Sequence, residues 1–157
     1  MNIQKHYDDS LWIAQTQSAN DAFNSGDLAL SNRLYQAALE IAKQIFIDFR
    51  HSDPVPNTLT PVLVVAYFNL ADCWAAQNEN EKQQECLIEI YDMLKIILNT
   101  HTLSHALDEQ VHIGINKVFF EICISFKDCK NKKIFNEIEI DFAELSKFYS
   151  LDTNLIH

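Results

Sequence analysis

The sequence predicts an all-α fold of about six helices, paired as three antiparallel helical hairpins. Three observations carry that prediction. Gly occurs twice and Pro three times in 157 residues, too few breakers for the many tight turns of an all-β domain. Apolar residues make up 48% of the chain and recur at helical steps of three and four. The breakers that do occur fall between those periodic stretches. The length fits one domain, residues 1–157, in which about 70% of the unfolded surface is buried on folding.

The first hairpin is placed at 8–49. Asp8, Asp9 and Ser10 offer N-caps to a helix that ends near Ser25. Gly26 breaks it and Asp27 caps the second helix, Leu28 to Phe49. That helix carries two adjacent seams, Leu34-Ala38-Ile41-Ile45 and Tyr35-Leu39-Ala42-Phe46-Phe49, as a helix packed on two neighbours requires. Pro54 and Pro56 make His51 to Thr60 a loop.

The second hairpin is placed at 60–98. Thr60-Pro61 reads as an N-cap followed by proline in the first turn. The apolar run Val62 to Phe68 has the composition of a buried strand. Its continuation through Leu70, Ala71, Cys73 and Trp74 without a breaker makes it a helix instead. A polar turn within Gln77 to Gln84 leads to a fourth helix, Glu81 to Leu98.

The third hairpin is placed at 102–149. Thr102 is the candidate cap of a long helix, Leu103 to Asp128, with the seam Leu107-Val111-Gly114-Val118-Ile122. Gly114 marks close approach of another helix, since glycine there costs about 1 kcal/mol relative to alanine. The last helix, Lys132 to Tyr149, repeats Phe135, Ile138, Phe142, Leu145 and Tyr149 on one side. Asn136, Glu137, Glu139, Asp141, Glu144 and Lys147 give it the polar outer face of a capping helix. Residues 150–157 are expected to be a frayed tail.

A net charge of −10 repels phosphate backbones, so no nucleic-acid partner is expected. The one basic cluster, Lys127, Lys130, Lys132 and Lys133, reads as complementing a helix C-terminus. No apolar run reaches 18 residues and no h-region follows the first Lys, so neither a membrane span nor a secretory signal is expected. Cys73, Cys86, Cys123 and Cys129 form no C-x-x-C pair. They read as reduced, buried thiols of a cytoplasmic protein.

The chain has no nucleophile elbow, P-loop or dinucleotide fingerprint. A non-enzyme without a cofactor is therefore expected. His101, His105, Glu109 and His112 follow at steps of 4, 4 and 3, a spacing that brings side chains of adjacent turns together and can hold a metal. No second helix supplies an evident ligand, so the cluster reads first as a solvated helix face. A metal-binding protein or enzyme built on His101, His105 and His112 is the lesser alternative.

Two hairpins repeat a pattern of small and large residues. One reads Ala19, Ala22, Phe23, Gly26-Asp27, Ser31, Tyr35, Ala38, Leu39. The other reads Tyr67-Phe68-Asn69-Leu70-Ala71-Asp72-Cys73-Trp74, a polar turn, then Cys86-Leu87, Ile90, Met93-Leu94. Both resemble the tetratricopeptide repeat, over about Trp12 to Leu98. The third hairpin matches in hydrophobic period only. The repeat interval is near 50 residues rather than 34, and the proline that ends the family's second helix is absent. The chain looks like a divergent bacterial member of that superfamily. Secretion chaperones of the type III system share the architecture.

The resemblance implies a right-handed superhelical stack and a concave groove, lined by the first helix of each hairpin, that binds peptides. Carried over, the groove residues are Thr16, Asn20 and Phe23, then Phe68, Asn69 and Asp72. Asn20 and Asn69 match the two asparagines with which the family grips a C-terminal carboxylate. Thr16 stands where a lysine is expected, and the third hairpin offers Asp108 and His112 rather than cations. A basic or apolar segment of a protein partner is therefore favoured over an acidic tail. The resulting expectation is a protein-interaction module. The structural alternative is self-association, with the groove filled by a second copy or by the apolar tail Leu151 to Ile156.

Overall fold

Helix boundaries follow from a few local signals. Gly26 adopts φ +83°, the left-handed conformation that glycine enters freely. Its amide and that of Asp27 donate to the carbonyls of Phe23 and Ala22, both at 3.0 Å, which closes α1 (Ser10–Asn24). The Asp27 carboxylate then accepts from the Leu30 amide at 3.0 Å and starts α2 (Leu28–Phe49). The remaining helices are α3 (Leu59–Ala76), α4 (Asn80–Leu98), α5 (His105–Ser125) and α6 (Lys133–Asn154). This computed structural model describes residues 5–100 and 102–154, with 149–154 described by backbone alone. All of the regular structure among the described residues is helical.

Contacts fix the directions. Ser31 Oγ donates to the Ala19 carbonyl and Gln15 Nε2 to the Leu34 carbonyl, so α1 and α2 run antiparallel. Lys43 stands over the Tyr67 ring while Cys73 lies at the Leu28 carbonyl, which makes α2 and α3 antiparallel. Tyr67 meets Glu89 and Trp74 meets Lys82, and the same follows for α3 and α4. Gln84 bonds the Ser125 carbonyl while Leu94 touches Gly114, reversing direction again between α4 and α5. Helices α3 and α5 are consequently parallel neighbours, related by a shift of 50 residues at the Thr60–Gln110 contact.

The core sits on α3. Leu59, Leu63, Tyr67 and Cys73 are wholly buried, together with Ile90 and Leu94 of α4 and Val111, Val118 and Ile122 of α5. By length and composition α3 is apolar enough to cross a membrane, and 56% of it is buried inside the protein; it is the central helix of this fold. The second seam expected on α2, Tyr35, Leu39, Ala42, Phe46 and Phe49, is buried throughout; of the first, Ala38 and Ile45 are buried and Leu34 and Ile41 half-buried. Gly114 is the expected close approach. A β-carbon placed there would stand 3.3 Å from Leu94 Cδ1 and Thr60 Cγ2 and 3.4 Å from Val64 Cγ2.

Several boundaries differ from expectation, among them the end of α5 at Ser125 rather than Asp128. Thr60 is not the cap of α3; it lies inside the first turn, fully buried. The cap comes from α5, where the Gln110 side chain accepts from the Thr60 amide at 3.1 Å and donates to the Pro56 carbonyl at 3.0 Å. Ser104 rather than Thr102 caps α5, its hydroxyl accepting from the Leu107 amide at 3.2 Å. The backbone of α6 is helical to Asn154, past the expected end at Tyr149; 155–157 lie outside the described residues. Gln110→Ala leaves the Thr60 amide without a partner and removes one of the two donors to the Pro56 carbonyl, which keeps the Leu59 amide at 3.1 Å. It is expected to cost about 1–2 kcal/mol, read as a lower urea midpoint at unchanged slope.

Helix α6 approaches α5 through bulky side chains. Phe119 and Phe142 stack at 3.8 Å between ring centres, and Phe126 and Phe135 at 5.6 Å. Asp141 accepts from Tyr91 at 2.8 Å and pairs with Lys95, tying α6 to α4 as well. Its outer face is less uniformly polar than expected, because Ile134 and Ile140 are exposed there.

Candidate functional site

The solvent-facing side of α3 is set by its periodicity. Pro61, Val65 and Asp72 are exposed, and Phe68 and Asn69 are half-buried, while the other residues from Leu59 to Cys73 are buried; Trp74 and Ala75 are half-buried and Ala76 is exposed at the end of the helix. On the neighbouring α5, Ile113, Lys117, Phe120 and Ile124 are all exposed at steps of 4, 3 and 4. That places three large apolar side chains in one row on one face of the helix.

Between these rows lies a small cleft of about 90 Å³, lined by Phe68, Ala71 and Asp72 of α3, Gln83 and Leu87 of α4, and Glu121 of α5. It brings two carboxylates to one place without a cation. Asp72 keeps contact with solvent, and the partial burial of its carboxyl in the cleft raises that group above the ordinary carboxylate value. Burial raises Glu121 too, and the negative charge of Asp72 adds to it. Among the described residues neither has an ion-pair partner.

Folded-state values above the unfolded ones mean that the folded protein holds these protons more tightly. Stability therefore falls as pH rises through the window from the usual carboxylate value to the raised one. Glu121→Gln removes one of the facing charges. It is expected to raise the melting temperature by about 1–2 °C at pH 7, from about 0.5 kcal/mol of relieved like-charge repulsion. At pH 3.5, below the ordinary values of both carboxyls and so below the raised ones, the repulsion is largely absent and little gain is expected. Calorimetric melts at the two pH values check this.

The residues expected on α1 are only partly presented. Asn20 is exposed, but its Oδ1 accepts from the Tyr35 hydroxyl at 2.5 Å. Phe23 is half-buried and packs on Tyr35 at 6.4 Å between ring centres. The Tyr35 hydroxyl is pushed up by burial first, then by Cys73, with a smaller contribution from Asp72. Thr16 contributes least, because its hydroxyl is buried away from the surface and has no hydrogen-bond partner among the described residues. Asn69 stands half-buried next to Phe68.

The histidines do not converge. His101 lies outside the described residues. His105 is the exposed first residue of α5. His112 is half-buried, its Nδ1 2.8 Å from the Asp108 carbonyl and 3.5 Å from the Asp108 carboxylate. Two helical turns separate it from His105, a rise of about 10 Å. Among the described residues no group of three or more metal-binding side chains gathers. The four cysteines are free. Cys73 is buried and the others are half-buried, and burial together with Glu89 and Glu85 pushes the Cys86 thiol up to about 11. Lys127 follows the end of α5, where a cation complements the dipole. Lys132 and Lys133 stand at the start of α6, where it does not.

Sequence reasoning missed two features. Glu121 is the counterpart of Asp72 on the parallel helix, and the repeat interval near 50 residues was the signal that could have found it. The second is a larger groove on the opposite helices, with a cavity volume of about 490 Å³. Its floor is Phe46, Leu63, Met93 and Ile97, with Lys43, Ile47 and Arg50 along α2 and Glu89, Asp92 and Ile96 along α4.

Residues 10–139 match the model of a family described as Protein of unknown function (DUF2753). No curated protein and no solved structure matches the chain.

Proposed function

The chain belongs to the DUF2753 family, whose model runs from the first residue of α1 into α6, and we propose that this fold serves as a protein-interaction module. In this reading the helices form a tetratricopeptide-like stack of three antiparallel hairpins with a right-handed superhelical turn. Its concave side is lined by α1, α3 and α5. There it takes an extended or helical segment of a protein partner in the cytoplasm, and the module acts without catalysis or cofactor.

The observation that carries the reading is the Asp72–Glu121 pair. Two carboxylates held above their ordinary protonation range, facing each other without a cation, sit beside the apolar surface of Phe68 and the exposed row Ile113, Phe120 and Ile124. A lysine or arginine on an apolar segment neutralises the pair while its neighbours cover the aromatic surface. An acidic segment meets repulsion at the same place, so the surface discriminates by charge. Asn20, Phe23 and Asn69 extend the contact along α1 and α3. Tyr35 holds the Asn20 amide oxygen, which leaves the amide N–H groups of that side chain to meet backbone carbonyls of the partner.

A peptide array probed with the purified protein tests the proposal. Bound peptides are expected to be enriched in Lys or Arg next to large apolar residues, and Phe68→Ala combined with Asn69→Ala is expected to weaken them about tenfold or more. Asp72→Lys is expected to abolish the preference for basic peptides. An array that selects acidic peptides, or binding that survives all three substitutions, contradicts the proposal.

A further inference from the structure

We propose that the groove between α2 and α4 is a homodimer interface, in which α2 of one protomer lies on α4 of the other. Lys43 Nζ reaches Glu89 Oε1 at 3.4 Å across a separation of 46 residues, which sets the register of the two helices. Both run antiparallel to α3, so they are parallel to each other. At that shift Ile47 stands level with Met93 and Arg50 with Ile96. Ile47 is 58% exposed and Ile96 is 69% exposed, an arrangement of two isoleucine knobs flanking an apolar trough. Trough and knobs are the two halves of a packed helical contact.

Charge decides between a second copy and an unrelated helix. Along the groove the α2 rim contributes the cations Lys43 and Arg50 and the α4 rim the anions Glu89 and Asp92. Lys43 pairs with Glu40 and Glu89 of its own protomer, so Arg50 and Asp92 are the charges left for a partner. Among the described residues neither Arg50 nor Asp92 has an ion-pair partner within the protomer. A two-fold axis parallel to the groove brings the cationic rim of one copy onto the anionic rim of the next, twice over. It keeps the register, so Arg50 lies one turn, about 6 Å, from the partner's Asp92. Ile47 then enters the partner's trough beside Met93 and Ile96. An axis across the groove would instead stack cation on cation and anion on anion. The surface is complementary to itself in one isologous arrangement. This face is separate from the concave one, and its occupation leaves Asp72 and Glu121 open.

Sedimentation velocity on the full chain over a wide concentration series tests the inference. The wild type is expected to pass from monomer to dimer. Ile47→Glu combined with Ile96→Glu is expected to weaken dimerisation at least about tenfold, since both side chains are exposed in the protomer and the interface loses its apolar centre. Arg50→Glu is expected to weaken it as well, and Arg50→Glu combined with Asp92→Arg to restore it, because the pair is reversed but still complementary. Circular dichroism of each variant confirms that the helices are retained. A wild type that stays monomeric overturns the inference and leaves the groove to another partner. A dimer unaffected by the isoleucine substitutions overturns it in favour of another face.

Discussion

Gly114→Leu is expected to destabilise the protein by about 3 kcal/mol or more, at the top of the range for overpacked cores. The first added carbon already stands 3.3 Å from side-chain atoms of Leu94 and Thr60 and 3.4 Å from Val64. Three further carbons have no space between α3, α4 and α5. Gly114→Ala separates crowding from helix propensity. Alanine gains about 1 kcal/mol in a helix interior, and three side-chain atoms must each yield a few tenths of an ångström. The two effects nearly cancel, so the alanine variant is expected to lie within about 1 kcal/mol of the parent. Urea denaturation followed by circular dichroism gives both numbers. A leucine variant as stable as the parent would mean that the three helices do not meet at this point.

Tyr67→Ala is the second large effect, a loss of about 3–5 kcal/mol. The ring is wholly buried on α3, with Lys43 Nζ 5.5 Å from its centre and its hydroxyl donating to Glu89 Oε1 at 2.6 Å. One side chain thus joins α2, α3 and α4. Burial, then the bond to Glu89 and its charge, hold the hydroxyl far above the ordinary tyrosine value, so it is a protonated donor at neutral pH. Tyr67→Phe keeps the ring and loses the bond, at a cost of about 1 kcal/mol. Against a total stability of about 5–15 kcal/mol, the loss in the alanine variant is a substantial fraction, read as a melting temperature lowered by about 6–20 °C. Equal effects of the two substitutions, measured by the same denaturation, would place the stability in the hydroxyl and contradict this account.

Much of the fold was legible because its signals are local. Gly26-Asp27 marked the first turn and the start of α2, and the paired seams of α2 foretold most of its buried face. The length of the apolar stretch from Val62 to Trp74 settled helix over strand. Where the sequence misled, a distant residue had intervened. Thr60 has the local look of a cap, yet Gln110 caps that helix from 50 residues away and the threonine goes inside. The candidate site was legible by halves. Phe68 and Asp72 emerged from the repeat pattern, while Glu121 needed the α3–α5 register. The α2–α4 groove depends on a spacing between two helices that neither helix encodes alone. Thr16 was placed by analogy on a face its own hydroxyl does not reach.

Backbone amide shift mapping by nuclear magnetic resonance, with the strongest basic-apolar peptide from the array, tests the central claim most directly. The account predicts perturbations gathered on α1, α3 and α5, at Asn20, Phe23, Phe68, Asn69, Asp72 and Glu121, that fade as salt rises. Perturbations confined to α2 and α4, or none at saturating peptide, would contradict it.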